Sequence, residues 1–501
     1  MASTLTKAKL MGYIKIKKAI YSFLFSVMII APGTSQTSID SLINAMPETC
    51  KSLMDQRGWP SLSISLVHDQ EIIYSQAFGL ADIDKNVPAT TKTIYRVGSI
   101  TKLFTATMLM QMAEKGIVNL NDPLIKHIPA YKPTYPINTG PTTLHQLATH
   151  TSGLNVDANQ GFWHYLSNLM WIVSRGKEQI VWGVTKNDLL TTLDQVEIRY
   201  VPNTKPHYSN FGYQLLGMAL ERTAKVNFEK YVKSKILNPL KMNDSGFNLN
   251  EEQRSRFAVG YTYLEPNFER FVSPDWELDV LKYSGGLYST SEDIARFISL
   301  QFRDQIDGRK QIISGDGLRC MRTPQTMQGK DTYGIGWGIY YKDGYQVITH
   351  AGGHWGFFAK AEVIPELKFG VVIMTNCNYP QGYIGPEKRL TKIIYEKFIP
   401  VLKEEKAKEP DKQNKHDLNR YVGQYAVAGR SASANIYPKN KKLFLRFKER
   451  PSFNYEIKPV KLNEFCFAID PKKNVMLRFK NDGHENVINF EFLSFIFKKE
   501  N

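Results

Sequence analysis

The sequence predicts an α+β fold, in which an antiparallel sheet is flanked by helices and interrupted by a helical insertion. A small all-β, barrel-like unit is predicted to follow it. Strand patterns lie at both ends of the first 400 residues, helical patterns lie between them, and short alternating runs fill residues 418–501. The simplest topology for the first 400 residues, here called the body, pairs its first strands with its last ones.

The first strand pattern begins at Ser61. The letters SLSISLV alternate polar and apolar residues, HDQE resembles a turn, and IIYSQAF resumes the alternation. This pattern predicts an antiparallel hairpin with one buried face.

Helical patterns follow the first hairpin. A helix is predicted from Ser99 to Lys115, and Gly116 ends it. Its apolar face consists of Leu103, Phe104, Met108, Met112 and Ala113. The insertion between about Asn119 and Leu281 contains two more helical patterns, Leu144–Thr149 and Gly212–Thr223.

Strand patterns return near the end of the body. The turn letters Asp343-Gly344 join two runs and are a strong hairpin signal. Three glycines, Gly334, Gly336 and Gly338, are predicted to alternate along the first of these strands. The predicted strands are Tyr333–Tyr341, Gln346–His350, Phe358–Ile364 and Phe369–Thr375, and an amphipathic helix is predicted over Lys388–Phe398.

The body is expected to span residues 37–400. Residues 401–417, with the letters KEEKAKEPDKQNKHD, contain almost no apolar side chains and predict a solvated linker. Residues 418–501 show only short alternating runs separated by Pro, Asn, Asp and Gly, which predicts a barrel or a sandwich.

Residues 1–36 have the pattern of a signal peptide. Five lysines without any acidic residue precede the uncharged run from Ala19 to Ala31. A membrane-spanning helix needs about 20 apolar residues, and this run has only 13. We therefore expect an exported protein, periplasmic or secreted, and an uncleaved anchor remains an alternative.

The net charge of +16 is distributed unevenly. The leader carries +5 and residues 401–501 carry +8, so only +3 remains on residues 37–400. A nucleic-acid binder is therefore not favoured, because the body has no excess of basic residues. The four cysteines are far apart and form no CxxC pair, so a metal site is not expected, and the sequence does not determine any disulfide. We expect no cofactor either.

Ser99-Ile100-Thr101-Lys102 places a hydroxyl and an amine one turn apart on one face of the predicted helix. A serine is a weak nucleophile until a base takes its proton. Lysine is such a base only when burial or nearby positive charge lowers its pKa. The alternative for this pair is a helix cap with a surface lysine.

Tyr208-Ser209-Asn210 provides a phenol and an amide just before a predicted helix. A phenol near a lysine can relay a proton, since positive charge lowers its pKa. The Asn210 amide could hydrogen-bond a substrate or Lys102. The alternative is a buried tyrosine that caps the helix.

His350-Ala351-Gly352-Gly353 lies at the end of a predicted strand. A pair of glycines at a strand edge lets a substrate approach the backbone. The N–H of Gly353 could then form an oxyanion hole with the N–H of Ser99. The alternative is a bulge or a turn.

Together these segments resemble the penicillin-recognising serine hydrolases: class C β-lactamases, D-alanyl-D-alanine carboxypeptidases and family VIII-type esterases. The resemblance extends from about Ser38 to Pro400. The segments that carry it are YRVGSITKLFTA, LHQLATHTSGL, YSNFGYQLLG, NPLKMNDSGF, GGLYSTSEDIARF and HAGGHWGF. A looser resemblance links the tail, from LNRYVGQY onward, to lipocalin-like β-domains.

The resemblance implies a role for each motif residue. Ser99 would be the acyl-accepting nucleophile, with Lys102 and Tyr208 sharing the work of general base and acid. The residues implied in substrate binding are Asn210, His350, Gly352 and Gly353.

One departure from the β-lactamase pattern bears on the substrate. The third motif of β-lactamases begins Lys-Thr-Gly, and here its first two positions are His350 and Ala351. That lysine and threonine serve a substrate carboxylate, whereas histidine is largely neutral at pH 7 and alanine donates nothing. The change favours esters, or amides and peptides with D-residues, over β-lactams.

The sequence thus predicts an exported serine hydrolase that acts through an acyl-enzyme on a small molecule or a peptide, with a cell-wall-derived substrate left open. A true β-lactamase or penicillin-binding protein is one alternative. A non-catalytic binding or structural protein that retains the fold is another. Membrane contact is expected only through an uncleaved leader.

Overall fold

The structure is a computed structural model that describes most of the chain. Residues 1–36, the predicted signal peptide, lie outside the described residues. The described residues are 38–135, 140–157, 170, 174, 185–264, 269–274, 279–303, 311–325, 332–378, 386–408, 418–427, 433–440, 442–449, 452, 454–461, 464–467, 476–481, 487–492 and 495–500.

Strands and helices of the body follow the predicted order. The strands are β1 (Ser61–His68), β2 (Glu71–Asp82), β3 (Val87–Pro88), β4 (Tyr95–Arg96), β5 (Tyr261–Leu264), β6 (Glu269–Val272), β7 (Tyr288–Ser289), β8 (Thr332–Tyr333), β9 (Gly338–Lys342), β10 (Tyr345–His354), β11 (Phe357–Ile364), β12 (Phe369–Thr375) and β13 (Cys377–Asn378). The helices are α1 (Ile39–Asn44), α2 (Met46–Arg57), α3 (Thr101–Glu114), α4 (Leu124–His127), α5 (Leu144–Ala148), α6 (Lys186–Leu190), α7 (Asn210–Ala224), α8 (Phe228–Val232), α9 (Glu251–Ser255), α10 (Ser291–Ser299), α11 (Gly315–Met321) and α12 (Pro386–Lys408).

An eight-stranded antiparallel sheet forms the centre of the body, in the order β3-β2-β1-β12-β11-β10-β9-β8. The first and last long strands meet, with Ile64 of β1 opposite Ile373 of β12. One face of the sheet packs against α3 and α10, and the other packs against α2 and α12. The predicted fold class is therefore confirmed.

Strand β1 is buried on both faces, whereas its alternating sequence predicted only one buried face. The serines Ser61, Ser63 and Ser65 are all inaccessible to solvent. Ser63 Oγ and Ser65 Oγ each lie 2.9 Å from Oγ of Ser291, the first residue of α10. Because the serine side chains are small and find polar partners, α10 can cover this face directly.

Helix α3 also differs from its predicted amphipathic pattern. It is preceded by a single 3₁₀ turn, Gly98–Ile100, and all of its residues from Thr101 to Met112 are buried. The hydroxyl of Thr105 donates to the carbonyl of Tyr283 over 2.6 Å. The helix crosses the core, so its polar side chains need partners inside the protein.

The predicted hairpin at Asp343-Gly344 forms between β9 and β10. Both turn residues have positive φ, 51° and 87°, as a two-residue hairpin turn requires. The prediction of one continuous strand over Tyr333–Tyr341 is wrong, because β8 ends at Tyr333 and β9 begins at Gly338. Between them, Gly336 has φ +83°, and a Cβ there would lie 2.8 Å from the Ala106 Cβ of α3.

The amphipathic helix predicted over Lys388–Phe398 is present but longer. Helix α12 continues to Lys408, eight residues into the segment predicted as a linker. The letters KEEKAK consist of good helix formers, so a helix that is already packed on the sheet can propagate through them. Residues 409–417 lie outside the described residues.

The tail is a closed antiparallel barrel of eight strands. These strands are β14 (Gly423–Val427), β15 (Ser433–Lys439), β16 (Lys442–Phe447), β17 (Asn454–Lys461), β18 (Glu464–Phe467), β19 (Met476–Asn481), β20 (Val487–Phe492) and β21 (Phe495–Lys499). Its core includes Tyr425, Ile436, Leu445 and Phe490.

In the described part of the chain, no helix combines the length and the apolar character needed to cross a bilayer.

Candidate active site

Ser99 and Lys102 lie together at the start of α3. Ser99 belongs to the 3₁₀ turn that precedes this helix, and Lys102 Nζ donates a hydrogen bond to Ser99 Oγ over 2.9 Å. The Lys102 side chain is completely buried. The alternative of a surface lysine beside a helix cap is therefore excluded.

The Lys102 ammonium has two further acceptors. It donates to Asn210 Oδ1 over 2.7 Å and to the main-chain carbonyl of Ser284 over 2.8 Å. Burial lowers the pKa of Lys102 to about 7, although the Asp157 carboxylate opposes that fall. Near neutral pH, a substantial fraction of this amine is therefore in the neutral form that a general base requires.

Tyr208 joins the same cluster. Its hydroxyl hydrogen-bonds the Ser99 side chain, and Lys102 Nζ lies 5.0 Å from its ring centroid. Burial raises the pKa of Tyr208 despite the bond to Ser99. The expectation that the lysine charge lowers this pKa is wrong, because burial disfavours the phenolate more strongly. Tyr208 therefore keeps its proton at neutral pH and is equipped to donate it.

The Tyr208-Ser209-Asn210 segment leads into α7. Ser209 is the N-cap of this helix, since its Oγ accepts from the N–H of Gly212 over 2.8 Å. The capping role considered for Tyr208 thus belongs to Ser209. Asn210, the first residue of α7, contacts Lys102 through Oδ1 and donates from Nδ2 to Asp157 Oδ1 over 2.9 Å.

The backbone of β10 closes tightly against the turn that holds Ser99. A Cβ on Gly352 would lie 2.7 Å from the Ser99 nitrogen, and a Cβ on Gly98 would lie 3.0 Å from the Gly353 nitrogen. Gly98 also has φ +52°, a conformation that favours glycine. The glycines let the two backbones meet, so the Ser99 and Gly353 amides lie in the same region of the site.

His350 is buried and neutral. Its Nδ1 lies 2.8 Å from the Ala351 carbonyl, and this contact requires a proton on Nδ1. Burial lowers the pKa of His350 to about 3, with a further contribution from repulsion by Lys102. The position of the β-lactamase lysine therefore carries no charge at physiological pH.

Strand β10 extends beyond its neighbour β9. The register between them runs from Tyr345 opposite Lys342 to Thr349 opposite Gly338. Among the described strands, none pairs with residues 350–354 on that side. A stretch of strand edge is thus open beside Ser99, where an extended ligand could form main-chain hydrogen bonds.

A family model described as Beta-lactamase matches residues 47–394, which is well over half of the chain. The chain belongs to the Beta-lactamase family. The predicted kinship of the body with penicillin-recognising serine hydrolases is thereby confirmed. The lipocalin-like resemblance of the tail stays a prediction.

Two relatives of this Beta-lactamase family member share about a quarter of the aligned residues. Protein flp of Staphylococcus aureus (strain MRSA252) is 24% identical over 326 residues, which cover 64% of this chain and 60% of flp. Putative beta-lactamase-like 1 of Homo sapiens is 25% identical over 376 residues, which cover 72% of this chain and 69% of that protein. The match thus spans only about 60% of the staphylococcal relative.

Two solved structures share the fold. An octameric penicillin-binding protein homologue from Pyrococcus abyssi has a TM-score of 0.59 at 23% identity and covers 91% of this chain and 100% of its own. A beta-lactamase/D-alanine carboxypeptidase from Yersinia pestis has a TM-score of 0.58 at 22% identity and covers 71% of this chain and 98% of its own. At such identities the likeness establishes the fold alone.

Three contributors to the site were not predicted from the sequence. The Ser284 carbonyl is a main-chain group, and carbonyls carry no sequence signature. Asp157 is exposed, and no spacing marks it as a neighbour of Asn210. His150 lies in the segment LATHTSGL, which is part of the family resemblance and is the one signal that could have identified it.

In the described part of the chain, no group of acidic, histidine and cysteine side chains could hold a metal ion.

His150 holds the backbone on both sides of Tyr208. Its Nδ1 accepts from the N–H of Ser209 over 3.0 Å, and its carbonyl accepts from the N–H of His207 over 2.7 Å. Its ring centroid lies 4.5 Å from that of Tyr208. Since Nδ1 accepts a hydrogen bond, the ring is neutral with its proton on Nε2. His150 therefore fixes the position of the Tyr208 ring.

We expect the phosphonylation of Ser99 by a fluorophosphonate, which releases fluoride, to speed up with rising pH, with a midpoint of about 7, because Lys102 must lose its proton first. Asp157→Asn should move this midpoint to lower pH. The variant removes the charge that raises the Lys102 pKa and keeps an oxygen for Asn210 Nδ2. An unchanged midpoint in the variant would contradict the coupling.

Substitutions of His150 test whether this residue positions the Tyr208 side chain. His150→Asn keeps a hydrogen-bond acceptor near the Nδ1 position and tolerates the residue's φ of +58°. His150→Ala keeps neither the acceptor nor the ring contact. We expect Ala to slow Ser99 acylation by about tenfold to a hundredfold and Asn by much less. Thermal melts monitor folding, and equal rates in the two variants would refute the role.

Proposed function

We propose that this Beta-lactamase family member is an exported serine hydrolase that forms an acyl-enzyme on Ser99. Its substrates would be esters, or amides and peptides that contain D-residues. The observation that carries the proposal is the buried Lys102 amine, with a pKa of about 7, 2.9 Å from Ser99 Oγ. Burying a lysine side chain costs free energy of folding. A buried lysine with a pKa near 7 is suited to take a proton from serine.

The acylation step would use the groups around Ser99. Neutral Lys102 takes the Ser99 proton while Oγ forms a bond to the substrate carbonyl carbon. The carbonyl π electrons move onto oxygen, and the oxyanion accepts hydrogen bonds from the Ser99 and Gly353 amides. Donors of this kind, aimed at developing charge, contribute about 3–4 kcal/mol each in related chemistry.

Departure of the leaving group would use Tyr208. The oxyanion reforms the carbonyl, and the bond to the leaving oxygen or nitrogen breaks as Tyr208 donates its proton to that atom. The Lys102 ammonium then passes its proton to Tyr208 and becomes a neutral amine again. Water attacks the acyl-enzyme with these transfers reversed, which releases the acid and restores Ser99.

The third motif favours esters and D-residue peptides over β-lactams. His350 is neutral because burial lowers its pKa to about 3, and Ala351 has no donor. Losing a charge-assisted contact to a carboxylate costs about 1.5–3 kcal/mol, roughly tenfold to a hundredfold in affinity. A substrate that depends on a charge at this motif would therefore bind weakly.

A β-lactamase or carboxypeptidase is the second candidate. The solved structure from Yersinia pestis is described as a beta-lactamase/D-alanine carboxypeptidase, and it shares the fold of the body. A panel of p-nitrophenyl esters, D-Ala-D-Ala peptides and nitrocefin separates the candidates. Rapid turnover of nitrocefin would reverse the preference for esters.

Export remains part of the proposal. The basic leader and its 13-residue uncharged run support it, and a periplasmic or secreted location would give access to cell-wall-derived substrates. We propose no nucleic-acid partner, because the body is nearly neutral.

Ser99→Ala should abolish turnover and prevent labelling by a fluorophosphonate or a fluorescent penicillin. Because Ser99 is only partly buried, we expect the free energy of unfolding to change by about 1 kcal/mol or less. Mass spectrometry of the labelled wild-type protein locates the adduct. A folded wild-type protein without any adduct on Ser99 would favour a non-catalytic binding protein.

Tyr208→Phe should slow turnover of amides and esters by about a hundredfold, which is a typical contribution of acid–base catalysis. The ring and its contact with His150 are retained, so the loss reports on the proton alone. Steady-state kinetics on the best substrate of the panel measures the effect. Equal rates in wild type and variant would remove Tyr208 from the mechanism.

A further inference from the structure

A cleft of about 710 Å³ begins at the candidate active site and continues onto the α12 face of the sheet. Its first part is lined by Tyr208, His350 and Ala351. Its second part, here called the β11 cleft, is lined by side chains from β9, β10, β11 and α12, including those of Lys360 and Glu362. The β11 cleft has no part in the mechanism derived above.

Lys360 lies beside the altered third motif. In the register of β10 and β11, Lys360 stands directly opposite Ala351. Side chains directly opposite each other on neighbouring antiparallel strands share a face, with their Cβ atoms about 4.5–5.5 Å apart. A cation is thus adjacent to the position that β-lactamases fill with threonine. The small side chain of Ala351 leaves room next to it.

A buried network fixes the Lys360 side chain. Lys360 Nζ lies 2.9 Å from Glu362 Oε1, and the same oxygen accepts from Tyr340 Oη at 3.0 Å and from Thr349 Oγ1 at 3.3 Å. Glu362 is 1% exposed and Lys360 is 12% exposed. An ammonium has three N–H groups, so the contact with Glu362 leaves two of them for a ligand.

The Glu362 carboxylate is also contacted from α12. Tyr395 Oη hydrogen-bonds Glu362, and both residues line the cleft. Glu362 thus has Lys360, Tyr340, Thr349 and Tyr395 as partners, and its charge is compensated within the protein. The groups left for a ligand are therefore the N–H groups of Lys360.

We propose that the β11 cleft is a subsite for a carboxylate carried by the substrate and that Lys360 binds it. This inference rests on the proposed function, since it names the class of substrate that the same site accepts. The carboxylate would then be bound from the adjacent strand, at a different position from the charge that β-lactamases carry at the third motif. Lys342 and Lys392 line the same cleft, but Lys342 Nζ lies 3.5 Å from Asp343 Oδ2 and Lys392 Nζ lies 3.7 Å from Glu396 Oε1, so they add little net charge.

Two pairs of esters test the subsite. In one pair the acyl group differs only by a carboxylate, as in p-nitrophenyl butyrate and mono-p-nitrophenyl glutarate. In the other the leaving group differs in the same way, as in phenyl acetate and 3-carboxyphenyl acetate. We expect kcat/KM to favour the anionic member at least tenfold in one pair, after correction for its intrinsic hydrolysis rate.

The informative variant is Lys360→Met/Glu362→Gln. Lys360→Met alone would leave the buried Glu362 carboxylate uncompensated and risks misfolding, whereas the double variant removes both charges together. We expect it to lose the preference for the carboxylate while kcat/KM for the neutral esters stays within threefold. Lys368→Met is the matched control, because Lys368 is exposed and pairs with Asp69 away from the cleft.

An absence of preference in both pairs, or a preference that persists in the double variant, would overturn the proposal. If the wild-type protein hydrolyses none of the esters, the proposed hydrolase function is contradicted, and this result does not test the subsite. Calorimetric titration of Ser99→Ala with the same esters then decides on the subsite. Tighter binding of an anionic ester that disappears with Lys360→Met/Glu362→Gln supports it, and equal binding of both members of each pair refutes it.

Discussion

The burial of Lys102 is the constraint on which the rest of the candidate site depends. An ammonium without access to water must find partners, and three distant segments supply them: the Ser99 hydroxyl, the Asn210 amide and the Ser284 carbonyl. One nitrogen thereby holds these segments in a common geometry. In water its pKa would be about 10.4, and the amine would be almost wholly protonated at neutral pH.

Helix α3 makes this arrangement rigid. Its residues from Thr101 to Met112 are all buried, so core packing on every side fixes its axis and its rotation. Lys102 is a residue of this helix, and Ser99 lies in the turn just before it. The relative position of Ser99 and Lys102 is thus set by the hydrophobic core, which is the kind of support that a preorganised site needs.

The sequence predicted those parts of the molecule that depend on local pattern. The hairpin at Asp343-Gly344 needs two residues with positive φ, and the Ser99–Lys102 pair needs only one turn of helix. The parts that depend on tertiary neighbours were missed. Strand β1 is buried on both faces because α10 covers its serines, and Tyr208 keeps a raised pKa because its surroundings exclude water.

The eight-stranded sheet of the body and the barrel of the tail differ in their strand edges. In the tail every strand has a neighbour on both sides, and closure of this kind hides the main-chain groups that could recruit a foreign strand. In the body, β10 extends five residues beyond β9, beside Ser99. A peptide bound there would gain affinity from main-chain hydrogen bonds, while its selectivity would come from the surfaces that receive its alternate side chains.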